Sequence, residues 1–67
     1  METKQQINMS PIDSIIMMLD SYAEAADNNV TTAEEWGHMG EAKFFEGKAA
    51  GLREAADHLR NLQKLFN

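Results

Sequence analysis

Phe45, Leu52, Leu59 and Phe66 recur every seven residues, and Ala42, Ala49 and Ala56 repeat at the same interval beside them. A seven-residue apolar repeat keeps one stripe of a helix facing a neighbour, so it specifies a helical seam and little else. Small Ala positions let another helix approach closely, and the large residues next to them fill the remaining space. Ala55 and Leu62 widen the stripe. A second flank carries Gly40, Phe44, Gly47, Gly51, His58 and Leu65, and the far side carries Lys43, Glu46, Arg53, Asp57, Arg60 and Lys64. The chain's single proline lies elsewhere, and the register runs unbroken through Gly47-Lys48-Ala49-Ala50-Gly51. The repeat therefore predicts one continuous helix over 32–66. A break at the two glycines, each costing about 1 kcal/mol relative to Ala, would instead give a three-helix bundle.

A first helix begins at Ser10-Pro11-Ile12-Asp13. Ser10 suits the N-cap, Pro11 loses no hydrogen bond at the first helical position, and Asp13 can close a capping box at the positive end of the helix dipole. Ile12, Ile15, Ile16, Leu19, Tyr22, Ala23 and Ala26 follow at helical spacing. Asp27-Asn28-Asn29 predicts the stop, because these side chains bond their own backbone and tolerate left-handed conformations. Thr31…Glu34 and Thr32…Glu35 both fit the capping box of the next helix.

These boundaries define an all-α fold: an antiparallel hairpin with a short helix 1 and a long helix 2. At 1.5 Å per residue the two rods would measure about 25 Å and about 52 Å. Helix 1 would then cover helix 2 only to about Lys48. Each large side chain beyond that point gains roughly 1.5–3 kcal/mol on burial, which predicts a homo-oligomeric bundle, a dimer in its simplest form. Phe45, Ala49, Leu52, Ala56, Leu59, Leu62 and Phe66 are its expected interface.

With 67 residues the chain has room for one domain. Residues 1–9, polar and without periodicity, read as a flexible N-terminal arm, and 10–67 as a single helical-hairpin domain. The absence of Cys removes disulfides, thiolate metal sites and cysteine nucleophiles. No signal pattern or membrane-length apolar run is visible, so a cytoplasmic protein is expected. The net charge of −5 argues against nucleic acid as a partner. The acids are concentrated early: Glu2, Asp13, Asp20, Glu24 and Asp27 face only Lys4 among residues 1–31. A basic partner would therefore meet the first half, and Met17, Asp20, Glu24, Asp27 and Trp36 are the expected partner-binding residues. Trp36 has a second reading as a core plug at the end of the hairpin.

Catalytic chemistry finds little footing. Ser10, Ser14 and Ser21 belong to the first helix or its cap, and no Ser–His–acid set stands out, so no enzyme and no cofactor are expected. Glu35-Trp36-Gly37-His38 has the Glu-x-x-His spacing of di-metal carboxylate sites, with Glu24 as an extra ligand in a dimer of hairpins. Glu54 and His58 form a helical pair, or His58 a polar member of an oligomer seam. A nucleotide-like anion held between chains would need Lys43, Lys48, Arg53 or Arg60 to converge, and only Lys48 lies near the seam.

Gly40 to Leu59 carries an aromatic residue followed by Gly-x-Ala-x-Gly-Leu-Arg-x-Ala-Ala. This stretch resembles a pattern in short helical accessory proteins of bacteriophages and prophages. The resemblance implies a small product of a bacterial host cell that binds and blocks a host protein, as inhibitors and anti-defence factors do.

Overall fold

The computed structural model describes residues 10–66, so the expected arm lies outside the described residues. Two helices make up the fold: α1, Pro11–Glu35, and α2, Met39–Phe66. They pack against each other as an antiparallel hairpin. The helical hairpin expected from the repeat is therefore present, and α2 passes through Gly47 and Gly51 without a break.

The capping box at the start of α1 forms in full. The Asp13 amide donates to Ser10 Oγ at 3.1 Å, and the Ser10 amide donates to Asp13 Oδ2 at 3.3 Å. Aspartate thus does the work that Glu or Gln usually does at this position.

The end of α1 corrects the sequence reading. The helix does not stop at Asp27 but continues for two more turns to Glu35. Thr31 and Thr32 turn their hydroxyls inward along the helix, donating to the carbonyls of Asp27 and Asn28 at 3.4 and 3.1 Å. Val30 and Ala33 extend the stripe begun by Ile12, and tertiary packing of that stripe outweighs the weak helix propensity of Asn and Thr. The chain reverses instead at Gly37, with φ of 76°, a region open to Gly at no steric cost. The His38 amide donates to the Ala33 carbonyl at 2.8 Å and the Gly37 amide to the Glu34 carbonyl at 3.0 Å, which is a Schellman cap.

With 25 and 28 residues the helices are nearly equal. The short-and-long hairpin, and with it the bare far half of the second helix, is overturned. Each helix carries one regular seam. On α1 it runs Ile12, Ile16, Leu19, Ala23, Ala26, Val30, Ala33; on α2 it runs Ala42, Phe45, Ala49, Leu52, Ala56, Leu59. Steps of three and four alternate along both, as in a coiled coil. Among the described residues seven are buried and six of these are alanine; Ala23 and Ala56 have no exposed surface. Apart from Ile16, the larger seam residues are only half-buried. Two helices can close around small side chains, but they have nothing to place over large ones.

Candidate binding surfaces

The two broad faces of the hairpin are chemically opposite. Asp13, Asp20 and Asp27 stand every seventh residue beside the seam of α1, and each reaches α2. Arg53 makes a two-pronged pair with Asp27, its Nη1 donating to Oδ1 at 3.3 Å. Arg60 donates to Asp20 and also to Asp57 Oδ1, the latter at 3.2 Å. Gln63 Nε2 donates to Asp13 Oδ1. These three rungs tie one face together. The Arg53 guanidinium holds the Asp27 carboxyl below the usual carboxylate range and is itself pushed up. The Gln63 amide, helped by Ser10, lowers the Asp13 carboxyl.

Beyond the other edge of the seam lie Ile15, Met18, Tyr22 and Ala25 on α1, at steps of three and four. Phe44, Lys48, Gly51, Ala55, His58 and Leu62 form the matching row on α2. No cross-link among the described side chains spans this face. Its large residues are exposed, Tyr22 at 53% and Phe44 at 65%. Midway along, Tyr22, Ala25, Lys48 and Leu52 line an open hollow of about 230 Å³. A Cβ added at Gly40, Gly47 or Gly51 would meet nothing within 4 Å. The hairpin therefore does not need these glycines for its own close packing, although each costs α2 about 1 kcal/mol relative to Ala.

The turn forms a third surface. Trp36, the C-cap of α1, is 73% exposed, which rules out the core-plug reading; Met39, three residues on, is exposed as well. Glu34 and Glu35 occupy the last turn of α1, where no base is present and the negative end of the helix dipole disfavours them. Glu41 pairs with His38 Nδ1 at 3.3 Å. Acids and an aromatic placed against folding stability make this tip a surface rather than a packing device.

The expected residues fall into separate groups. Of the partner-binding set, Met17, Glu24 and Trp36 are exposed, whereas Asp20 and Asp27 are engaged by Arg60 and Arg53. Of the expected oligomer interface, Ala49 and Ala56 are buried in the hairpin's own seam, which Phe45, Leu52 and Leu59 share; Leu62 and Phe66 are exposed. The chain's own α1 fills the place assigned to a second copy, because it is longer than Asp27-Asn28-Asn29 suggested. The Glu35…His38 pair does not share a helical face either, since the turn falls between them. Among the described residues no three His, Asp or Glu side chains gather as a metal site. No described helix is long and apolar enough to cross a membrane. Of the row from Ile15 to Ala25, Ile15 and Tyr22 were legible as apolar spacing, but the sequence reading merged them with the seam.

Comparison with known protein families, curated proteins and solved structures gives no match.

Proposed function

We propose that this chain is a non-enzymatic, homo-oligomeric helical protein that binds another protein and occludes part of its surface. The observation that carries the reading is Trp36, largely exposed on a turn fixed by a Schellman cap and bordered by Glu34, Glu35 and Glu41. Tryptophan is enriched among the residues that anchor protein interfaces, and the acidic border suits a partner with a basic rim. Met17 and Glu24, exposed on the back of α1, extend the contact. The likeness of Gly40–Leu59 to phage accessory proteins favours a bacterial host protein as the target, with the host cytoplasm as the site of action.

The test is capture from a bacterial lysate on the immobilised full-length chain, with the Trp36→Ala chain as a parallel bait. A protein retained by the first and lost by the second supports the reading; identical retention on both overturns it. A second reading draws on the central hollow, whose lining includes Tyr22 and Lys48. An aromatic anion such as a nucleotide could stack and pair there, and a rise in melting temperature with added cyclic nucleotides would favour sequestration instead.

A further inference from the structure

We propose that a second copy of this chain covers the face bearing Ile15, Met18, Tyr22, Phe44 and Leu62, pairing two hairpins into a four-helix bundle. The inference rests on the reading of the chain as a self-assembling binder and assigns the surface through which it assembles. On α1 a second apolar ladder, Ile15, Met18, Tyr22 and Ala25, is left open beside the one spent within the hairpin, and the facing row of α2 adds Phe44, Gly51, Ala55 and Leu62, with Lys48 and His58 set between them. A helix in a pair needs one such ladder, and a helix in a four-helix bundle needs two.

Three features select a second copy as the occupant. First, the hairpin buries six alanines and one isoleucine, far too little for a chain this small to stand alone. Whatever covers the face must be present whenever the chain folds, and another copy always is. Second, the area suffices. Tyr22 and Phe44 together leave roughly 250 Å² of aromatic residue wet. Two helices side by side present a strip about 20 Å wide, so the face is of the order of the ~800 Å² per partner in a standard interface. Third, the charges permit it. Asp13, Asp20 and Asp27 lie on the opposite, bridged face, so two acidic chains can meet here without opposing those carboxylates. The small residues Ala25, Gly51 and Ala55 in mid-face then acquire a purpose the isolated hairpin lacks: they let the second pair of helices approach.

Sedimentation equilibrium of the full-length chain at micromolar concentration reads this out. The expected mass is twice the 7.5 kDa of one chain, with a melting temperature that rises with concentration. Met18→Lys should abolish the doubling, while Ser21→Lys, three positions on and exposed on the outer side of α1, should leave it intact. Because Met18→Lys could unfold the chain, Gly51→Met is the second variant. A Cβ at that position meets nothing in the hairpin, so helicity should persist while dimerisation weakens at least tenfold. A helical wild-type chain that stays at single mass with a concentration-independent melt overturns the proposal. So does a dimer indifferent to both Met18→Lys and Gly51→Met. A single-mass chain that still captures a protein through Trp36 would sink the pairing alone. A dimer whose captures ignore Trp36 would sink the Trp36 reading alone.

Discussion

Gly37 is the residue on which the hairpin turns. Its φ of 76° lies where a side chain on Cα collides with the backbone, so the position favours glycine for a conformational reason and not for want of space. Gly37→Ala should destabilise the fold by about 1 kcal/mol through that strain. Urea denaturation followed by circular dichroism measures it; an unchanged midpoint would show that the turn is not held in this conformation. Trp36, one residue earlier, is the contrasting case. Its ring leaves most of its surface in water, so Trp36→Ala should leave the urea midpoint nearly unchanged while removing captured protein. Neighbouring residues thus separate a stability role from a binding role.

At the scale of the element, α1 shows how a strong local signal can mislead. Asp27-Asn28-Asn29 followed by two threonines has the chemistry of a helix stop and a helix start. The capping box at Ser10, the continuity of α2 through Gly47 and Gly51, and the antiparallel pairing were all legible, because each rests on a pattern spread over several turns or on a specific cap. The true turn was not, because its one signal, Gly37 between Trp36 and His38, lies inside a stretch already assigned to a helix. Val30 and Ala33 held the missing information: they continue the seam of Ile12, Leu19 and Ala26 without a change of register. The candidate surfaces were legible to the extent that Trp36, Met17 and Glu24 were singled out. Of the apolar second face, Phe44, Gly51 and His58 were legible as a second flank of α2, whereas on α1 Ile15 and Tyr22 were read as part of the seam. If α1 is continuous, Asn29→Ala replaces a poor helix former at an exposed mid-helix position and should stabilise the fold by roughly 0.5 kcal/mol. A turn at that position would lose stability on the same substitution, so the sign of the shift in urea midpoint decides between them.

For the whole molecule, the Asp27 and Asp13 rungs of the polar face couple folding to pH. Asp27 and Asp13 have carboxyls lowered in the folded chain, the first chiefly by Arg53 and the second chiefly by Gln63. A group whose folded pKa lies below its unfolded value, about 3.9 for aspartate, stabilises the fold fully at pH well above that value. The contribution fades as pH falls through the folded value, where both states become protonated. The urea midpoint should therefore stay level from neutral pH to about pH 5 and decline below about pH 4. Acid also carries the chain from a net charge of −5 to a net positive one, and self-repulsion would weaken the fold over the same range. Asp27→Asn separates the two causes. It keeps the shape of the rung but has no proton to gain, so it should be less stable than the parent at pH 7 and converge with it near pH 2. The rung is exposed, and added salt should therefore narrow the difference at pH 7, whereas self-repulsion at low pH would be relieved in both chains alike. Curves that run parallel across the whole range would show that Arg53 and Asp27 do not hold each other in solution.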